Sequence, residues 1–329
     1  MKAKLSILIS VYNGEKYIKE SIDSAINQSL EDIEIIVIND GSTDKTGEIL
    51  NGYDDERLKI FQQENKGLGS SRNIAMAKAE GEYIAFLDGD DWLVEDMAET
   101  TYKKAKEDDA DMCIFQIKSY DDVKKTEYES DWFNIKNLNE SFDNRVFSPD
   151  ETKDVLFDFS VSACQKIYKN SFLKSINASF PEGIYFEDMP FFYHVYLKAK
   201  RISIIRRQLY IRRKHEGSIT ESVDDKFLDT VPAGQELFKR FIENGFYEDY
   251  KFDLIAYKIN GPRMALASID KRYQNQLFDL IKEDYEEIRL SKYYNDFLDN
   301  LGPVKKKFFQ DVLKSADYKE FRQYNDNKY

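Results

Sequence analysis

The chain has 329 residues, of which 42% are hydrophobic and 33% charged, with only 14 glycines and 6 prolines. This composition excludes a disordered or fibrous chain, and the length supports a sizeable core and suggests two domains at about 150 residues each. The net charge is −13, because 61 acidic residues outnumber 48 basic ones, and this argues against general nucleic-acid binding, which depends on Lys and Arg.

The cysteine content and the apolar segments bear on the compartment. Cys113 and Cys164 lie far apart without zinc-ligand spacing, which excludes a disulfide framework and favours a reduced setting. No apolar run approaches the roughly 18 residues of a membrane span. The basic N-terminus lacks the long apolar stretch of a signal peptide. We therefore expect a cytoplasmic protein, and a peripheral position at the inner face of the membrane is left open.

The first third of the chain alternates strand-like and helix-like patterns. Short apolar runs predict five strands, at residues 5–12, 34–39, 58–62, 83–87 and 112–117. Apolar side chains at helical spacing predict helices at 17–26, 42–50, around 74–77 and at 95–106. Such alternation predicts an α/β domain with a mainly parallel sheet flanked by helices. Ligands of such sheets bind beyond the carboxyl ends of the strands.

The remaining two thirds are less regular. Residues 118–150 are polar without a clear period, and we predict an irregular insertion there. Residues 151–220 return to a mixed α/β pattern, and from about 221 the pattern is helical and rich in aromatic residues. The sequence therefore predicts a domain boundary near residue 220, with a helical region from 221 to 329.

An acidic motif, Asp88-Gly89-Asp90-Asp91-Trp92, directly follows the fourth predicted strand. Three carboxylates at the end of a buried strand repel one another, so that their pKa values rise or a cation is needed. Mg²⁺ is typically bound by one or two carboxylates together with substrate phosphates. The alternative is a solvated turn in which one aspartate caps the next helix. The spacing alone leaves both interpretations open.

Two polar loops follow the second and third predicted strands. In the first loop, the Asp40 carboxylate could accept hydrogen bonds from a nucleotide base or ribose, or Ser42 and Asp44 could simply serve a helix N-terminus. The second loop has a Gly-x-Gly at residues 67–69 but neither GxGxxG nor a P-loop, which disfavours both of those nucleotide sites. Arg72 there could contact an anion or a base, or the loop could only open a helix.

A carboxylate pair, Glu187-Asp188, precedes a helix-like stretch. Such a pair often forms a helix N-cap, and the alternative is a general base, which needs a cleft and a hydroxyl within hydrogen-bonding reach.

A basic run follows that helix. Residues 198–214 contain eight Lys or Arg and no acid, with His215 and Ser218 just beyond. This run could bind a diphosphate or anionic lipid, or it could be a solvated face. The shorter basic and aromatic stretch 305–309 could touch a membrane or be an ordinary helix end.

Taken together, the motifs resemble a pattern known from one enzyme family. The order is Ser10-Val11-Tyr12-Asn13, NDGSTD at 39–44, NxGxxxxRN at 65–73, LDGDDW at 87–92 and FED at 186–188. This order resembles family-2 glycosyltransferases of the bacterial cell-surface glycan type, which have the Rossmann-like GT-A fold. The resemblance covers about residues 1–220. It implies a nucleotide-sugar-binding and catalytic domain there, and it leaves 221–329 as a helical region for oligomerisation, acceptor binding or membrane docking.

The resemblance also implies roles for individual residues. In such enzymes a DxD motif faces the ribose and the metal, so Asp88 would contact the donor and Asp90 would bind Mn²⁺ or Mg²⁺. Asp188 would be the general base. The residues implied to contact the UDP-sugar donor are Val11, Tyr12, Asn13, Asp40, Arg72, Asp88, Arg212, Arg213, His215 and Ser218.

The implied reaction is an inverting, metal-assisted transfer of a sugar from a UDP-sugar to an acceptor hydroxyl. The acceptor would be a glycan, a teichoic acid, a glycoprotein glycan or a lipid-linked glycan, and no nucleic acid is expected as a partner. A peripheral membrane contact and a homo-oligomer formed through the C-terminal helices are left open. So are a catalytically inactive nucleotide-binding scaffold, a sugar nucleotidyltransferase and a metal-dependent hydrolase. Ala163-Cys164-Gln165 stand where many family members carry Trp, so the sugars themselves are not predicted.

Overall fold

The computed structural model describes residues 3–215 and 224–325, which divide into two compact units. The first unit contains the described residues up to Gly183 and those from Glu187 to His215. The second contains Ile184–Phe186 and the described residues from Asp224 onward. The predicted boundary near residue 220 lies outside the described residues, as does Ser218, so both stay predictions.

The described part of the first unit is built on a nine-stranded mixed sheet. Its strands are β1 Leu5–Val11, β2 Ile33–Asp40, β3 Leu58–Gln63, β4 Tyr83–Asp88, β5 Trp92–Leu93, β6 Met112–Asp121, β7 Thr126–Glu129, β8 Lys166–Lys169 and β9 Ile202–Lys214. They lie in the order β3-β2-β1-β4-β8-β6-β9-β5, with β7 paired to β6. β8 runs antiparallel to both β4 and β6, and β5 runs antiparallel to β9. The strands β1–β4, β6 and β9 therefore share one direction, and their carboxyl ends meet at one edge.

Helices pack beside this sheet in the α/β arrangement predicted from the sequence. They are α1 Ile18–Ile26, α2 Thr46–Asn51, α3 Leu68–Lys78, α4 Met97–Glu107, α5 Asn170–Ser175 and α6 Asp188–Lys198. Every residue of β1 and β2 is buried, which explains why these strands appear in the sequence as continuous apolar runs rather than alternating ones. The five strands predicted in the first third of the chain are confirmed.

The third helix begins earlier than the sequence predicts. α3 starts at Leu68, directly after Gly67, whose φ of 87° suits glycine. Gly69 then lies so close to the backbone of Pro181 that a Cβ atom would come within 2.2 Å of its carbonyl oxygen. The glycines of the predicted loop thus allow a helix to begin there, and this places Arg72 within the first turns of α3.

The predicted irregular insertion at residues 118–150 is partly wrong. β6 continues to Asp121 and forms a hairpin with β7, because the long strand β9 offers a partner along that whole length. The segment after β7 lacks strands and is held by Arg206, which donates to the carbonyl oxygen of Leu138 at 2.7 Å and to the Asp143 carboxylate at 2.6 Å.

The described part of the second unit is helical, as predicted. Its helices are α7 Thr230–Glu243, α8 Tyr247–Ser268, α9 Gln274–Leu290, α10 Tyr294–Asn300, α11 Pro303–Lys314 and α12 Tyr318–Asn325. In the stretch 305–309, Phe308 and Phe309 are fully buried, and Lys307 bonds to Asp311. The two aromatic rings of this stretch therefore pack into the core of the unit, while its lysines stay at least partly exposed. Among the described residues, no helix is both long and apolar enough to cross a membrane.

Candidate active site

The shared strand direction brings most of the predicted site residues to one edge of the sheet. The carboxyl ends of parallel strands are where α/β sheets bind ligands. The predicted positions found at this edge are Val11 at the end of β1 with Tyr12 and Asn13 after it, Asp40 at the end of β2, Asp88 at the end of β4 with Asp90 after it, and Arg212 and Arg213 near the end of β9 with His215 after it.

Arg72 joins this edge to the start of α6. Its side chain is only 3% exposed, and its Nη1 donates to Glu187 Oε1 at 2.8 Å and to Asp188 Oδ1 at 2.5 Å. Its Nη2 donates to Asp88 Oδ1 at 2.9 Å. We call Arg72, Asp88, Glu187 and Asp188 the Arg72 cluster. A single buried guanidinium therefore connects two acidic motifs that lie about 100 residues apart in the sequence.

Burial, together with nearby negative charge, shifts the ionisation of two carboxylates of the Arg72 cluster, Glu187 and Asp188. Burial raises the pKa of Glu187 to about 7, with a further contribution from the Asp188 charge that Arg72 opposes. Burial also raises the pKa of Asp188, against the opposing charge of Arg72. For Arg72 itself burial disfavours the cation, but the charges of Asp188 and Asp88 hold its pKa well above the usual value. Raised carboxyl pKa values favour proton transfer near neutral pH.

Exposure distinguishes the two carboxylates at the start of α6. Glu187 stands at the N-cap position of the helix, but its side chain makes no capping hydrogen bond and is only 8% exposed. The Asp188 side chain is 21% exposed, which leaves part of it open to solvent. Glu187 therefore does not act as a helix cap, Asp188 is the more accessible carboxylate of the two, and its role as general base stays a prediction.

Asp188 receives a second hydrogen bond from the segment before β8. The backbone N–H of Ala163 donates to Asp188 Oδ2 at 3.3 Å. The neighbouring Cys164 sulfur lies 3.9 Å from Arg72 Nη2. Burial raises the pKa of this thiol well above its usual value, so it remains protonated and is not a reactive nucleophile.

The third aspartate of the acidic motif holds the turn together. Asp91 is buried and accepts hydrogen bonds from the Tyr210 hydroxyl at 2.6 Å and from the backbone N–H of Arg213 at 2.7 Å. Burial, together with the charges of Asp90 and Asp88, raises its pKa well above the usual value. With Asp91 pointing inward, Asp88 and Asp90 point outward, with side chains 35% and 36% exposed.

Arg213 is engaged in internal contacts. Its Nε donates to the carbonyl oxygen of Asp90 at 2.9 Å, its Nη1 to Asp122 at 2.8 Å, and its Nη2 bonds to Glu20. The guanidinium also lies over the rings of Trp92 and Tyr17, 4.5 and 4.7 Å from their centroids. In this geometry Arg213 positions the backbone of Asp90, and its contact with a donor stays a prediction.

The rest of the predicted basic run is dispersed in a similar way. Arg212 lies on the opposite face of β9 from Arg213, as strand alternation requires, with its guanidinium 5.4 Å from the Phe133 ring. Arg207 bonds to Asp96 at 2.9 Å, and Arg201 donates to backbone carbonyl oxygens. The run therefore does not form one continuous cationic surface.

Asp40 shapes the loop that opens α3. Its Oδ1 accepts from the backbone N–H of Lys66 at 2.9 Å and from Gln63 Nε2 at 2.6 Å, and its Oδ2 accepts from the N–H of Gly67 at 2.9 Å. The side chain is almost fully buried, at 4% exposure. Its contact with a donor base stays a prediction.

The loops after β1 and β2 are fastened to each other. Asn13 Oδ1 accepts from the N–H of Thr43 at 2.8 Å, and the N–H of Asn13 donates to Ser42 Oγ at 2.9 Å. Asp44 Oδ1 accepts from the N–H of Thr46 in the first turn of α2 at 2.9 Å. Ser42 and Asp44 therefore do serve local structure, while Tyr12 beside them is 52% exposed.

The carboxylate oxygens of Asp88 and Asp90 are the ligand type that a hard divalent cation prefers. Asp90 Oδ2 lies 2.9 Å from His215 Nε2. Within the described part of the chain, no group of three or more His, Cys, Asp or Glu side chains forms a metal site, and Asp88 Oδ2 and Asp90 Oδ1 accept no hydrogen bond there. Two outward carboxylates with open coordination suit Mg²⁺ or Mn²⁺ that shares its remaining ligands with a diphosphate. The residues present therefore fit such a cation.

Several supporting residues were missed by sequence reasoning. Tyr210, Asp122 and Lys166 carry no motif and act through partners distant in sequence, so no sequence signal points to them. Glu187 lies within the FED motif, and that motif was the available signal for it.

Comparison with known sequences identifies relatives over most of the chain. Residues 6–168 match the model described as glycosyl transferase family 2. The chain is 32% identical over 259 residues to the putative glycosyltransferase EpsH of Bacillus subtilis, covering 76% of this chain and 72% of that protein. It is 32% identical over 237 residues to the glycosyltransferase GlyA of Streptococcus pneumoniae, covering 69% of this chain. The match spans only 33% of GlyA, about a third of its length.

Comparison with solved structures identifies the same architecture. A crystal structure of S. aureus TarS 1-349 in complex with UDP-GlcNAc superposes with a TM-score of 0.57 and 24% sequence identity. The superposition covers 89% of this chain and 92% of the TarS chain. At this identity the likeness shows a shared fold.

Proposed function

The chain belongs to glycosyltransferase family 2, and from this premise we propose that it transfers a sugar from a UDP-sugar to a glycan hydroxyl with inversion. Its mixed sheet with flanking helices is the GT-A fold of that family. The observation that carries the proposal is the Arg72 cluster, in which Asp188 is the more exposed carboxylate at the start of α6 and is linked through Arg72 to Asp88 of the DxD motif.

In the proposed mechanism Asp188 is the general base. It accepts the proton of the acceptor hydroxyl while the oxygen of that hydroxyl attacks the anomeric carbon from the face opposite UDP. The bond between the anomeric carbon and the diphosphate oxygen breaks, and UDP departs with the electron pair. Arg72 and the Ala163 amide each occupy one position on the Asp188 carboxylate, which has further lone pairs for the proton.

Asp90, with Asp88 beside it, would hold a divalent cation in the proposed donor site. Such an ion neutralises charge on a departing diphosphate. Around it, Arg213 keeps the backbone of Asp90 in place, and His215 contacts the Asp90 carboxylate. Arg212 and Ser218 remain proposed diphosphate contacts, and Val11, Tyr12, Asn13, Asp40 and Arg72 remain proposed contacts to the nucleoside.

The substrate class is the finer part of the proposal. The TarS structure with the same fold is a complex with UDP-GlcNAc, which supports testing UDP-hexoses and UDP-N-acetylhexosamines first. For the acceptor we propose a hydroxyl of a surface glycan, a teichoic acid or a glycoprotein glycan. A cytoplasmic location, a peripheral membrane contact and assembly through the C-terminal helices stay predictions.

The proposal is tested by calorimetric titration of the protein with UDP in the presence of Mn²⁺ and in the presence of EDTA, beside UMP and GDP. We expect metal-dependent binding that is selective for UDP, followed by turnover with at least one UDP-sugar. No binding under either condition would contradict the donor site and favour an inactive scaffold.

The metal site is tested by Asp90→Ala, which should weaken the metal-dependent part of UDP binding. The matched control is Asp131→Ala, because the Asp131 side chain is 98% exposed in the same unit. Unchanged metal-dependent affinity in Asp90→Ala would show that the DxD motif is assigned wrongly.

A further inference from the structure

A buried lysine near the site has no role in the mechanism above. Lys166, the first residue of β8, is 0% exposed, and its Nζ donates to the carbonyl oxygens of Ser160 at 2.8 Å and Ser162 at 2.7 Å. It also lies 4.5 Å from the ring centroid of Phe192. Burial lowers the pKa of Lys166 to about 7, against the opposing charge of Asp188. Burying an ammonium group costs free energy, so Lys166 is expected to have a role that offsets this cost.

Both hydrogen bonds of Lys166 hold the segment that reaches Asp188. Tyr168, two residues further along β8 and on the same face, donates from its hydroxyl to the Ala163 carbonyl oxygen at 3.3 Å. Lys166 and Tyr168 together hold three carbonyl oxygens of residues 160–163. The N–H of Ala163 then donates to Asp188 Oδ2.

Both oxygens of the Asp188 carboxylate are thereby held by donors from different elements. Arg72, on α3, holds Oδ1, and Ala163, before β8, holds Oδ2. Two donors on two oxygens restrict rotation of the carboxylate. Displacing a reacting group by about 1 Å can lower a rate by about 10².

We propose that Lys166 is a positioning residue that holds residues 160–163 so that the Ala163 amide keeps the Asp188 carboxylate oriented toward the acceptor. This inference rests on the proposed function, since it assigns Asp188 as the base. It requires no direct contact between Lys166 and either substrate.

The test is Lys166→Met in the full chain, which keeps an unbranched apolar side chain and removes the donors. The matched control is Lys169→Met on the same strand, because Lys169 pairs at 2.5 Å with Asp109, whose side chain is 70% exposed. We expect Lys166→Met to lower kcat for UDP release from a UDP-sugar by about tenfold or more, with the Kd for UDP within about twofold of wild type. Lys169→Met should change neither. Wild-type kcat in folded Lys166→Met, or an equal loss of UDP affinity, would overturn the inference.

If Lys166→Met does not fold, Tyr168→Phe removes only the hydroxyl that holds the Ala163 carbonyl oxygen. We expect kcat to fall by about twofold to fivefold with an unchanged Kd for UDP. An unchanged kcat in the folded variant counts against the inference.

A second measurement is independent of turnover. Hydrogen exchange of the backbone amides of residues 161–165 should be faster in Lys166→Met, or in Tyr168→Phe if that is the variant that folds, than in wild type. Unchanged exchange would overturn the inference. Absence of turnover by the wild-type protein with every UDP-sugar would instead count against the proposed function, and the exchange measurement would still decide whether the segment is held.

Discussion

Each end of the central strands holds a cluster of charged groups around a buried side chain. The two clusters differ in the number of hydrogen-bond donors for each carboxylate. At the amino ends, the Glu34 carboxylate accepts hydrogen bonds from Ser6 Oγ at 2.5 Å, Lys59 Nζ at 2.9 Å, and the amides of Glu80 at 2.6 Å and Gly81 at 2.8 Å. We call this the Glu34 cluster. At the carboxyl ends, the Arg72 cluster sets one guanidinium against three carboxylates.

The number of donors for each carboxylate determines whether the carboxyl pKa is lowered, as in the Glu34 cluster, or raised, as in the Arg72 cluster. Burial acts to raise the pKa of Glu34, but the hydrogen bonds from Ser6, Lys59 and the two amides bring it below the usual value. In the Arg72 cluster the single guanidinium does not offset the effect of burial on the carboxylates, and the pKa values of Glu187 and Asp188 stay raised. A buried carboxylate with enough hydrogen-bond donors stabilises the fold, whereas surplus negative charge can accept a proton or a cation.

The largest effect is expected when the cation of the Arg72 cluster is removed. Arg72→Met leaves three carboxylates close together without a counter-charge, so we expect the free energy of unfolding at pH 8 to fall by about 3–5 kcal/mol, and turnover to be lost. Urea denaturation measures the first and UDP release the second. The control is Lys59→Met, because Lys59 is 42% exposed and its loss leaves three donors on Glu34. Equal destabilisation by the two variants would contradict the proposed difference between the clusters.

The next effect falls mainly on catalysis. Asp188→Asn keeps the size of the side chain and removes one of the repelling charges, but its NH₂ faces the N–H of Ala163, so we expect UDP affinity close to wild type and a free energy of unfolding lower by about 1 kcal/mol. The kcat should fall by about 10² or more, equivalent to about 2.7 kcal/mol in the activation barrier. Steady-state kinetics beside UDP titration separate these quantities. Normal turnover would remove Asp188 from the mechanism.

The corresponding change in the Glu34 cluster should do the reverse. Glu34→Gln turns an amide NH₂ toward groups that all donate, so the free energy of unfolding should fall by about 1–3 kcal/mol while kcat stays unchanged. Because the pKa of Glu34 is lowered in the folded protein, its stabilisation is present above the unfolded value near 4.5 and is lost as pH falls through the folded value. The difference from wild type should therefore vanish in acid. A change in kcat at neutral pH would show that the Glu34 cluster is not purely structural.

The sequence predicts the position of Asp88 in the Arg72 cluster, but it does not predict which residues pair with Arg72. The buried runs that form β1, β2 and β4 and the Asp88–Asp91 motif are local patterns, so their positions at the carboxyl ends follow from strand direction. The partners of Arg72 do not follow from local patterns. Glu187 and Asp188 lie at the start of α6, which follows the strand β8 between β4 and β6, so their approach to Arg72 depends on the assembled sheet.

The predicted arginine contacts illustrate the same limit. Nothing in the local sequence distinguishes Arg213 from Arg212, and alternation along β9 sends them to opposite faces. Asp122 and Glu20, which bond Arg213, come from the β6–β7 hairpin and from α1. Long-range pairing of this kind depends on the assembled sheet, which is why the charge run in the sequence looks like one surface and is not.

The smallest change in function is expected for Glu187→Gln. This variant tests whether Glu187 is one of the carboxylates of the Arg72 cluster that carry negative charge at neutral pH. Gln still accepts the hydrogen bond from Arg72, so folding and turnover should be retained. Since the pKa of Glu187 is raised to about 7 from 4.5, the folded protein binds more protons between those values, and this group makes stability fall as pH rises through that window. Glu187→Gln should match wild type near pH 4.5 and exceed its stability above pH 7.

The control is Glu80→Gln, whose side chain is 76% exposed, and its stability should follow that of wild type throughout. Urea denaturation from pH 4.5 to 8 gives the curves. If the stability of Glu187→Gln and wild type depended on pH in the same way, Glu187 would not be the group that titrates, and the negative charge of the cluster would lie on Asp188 and Asp88.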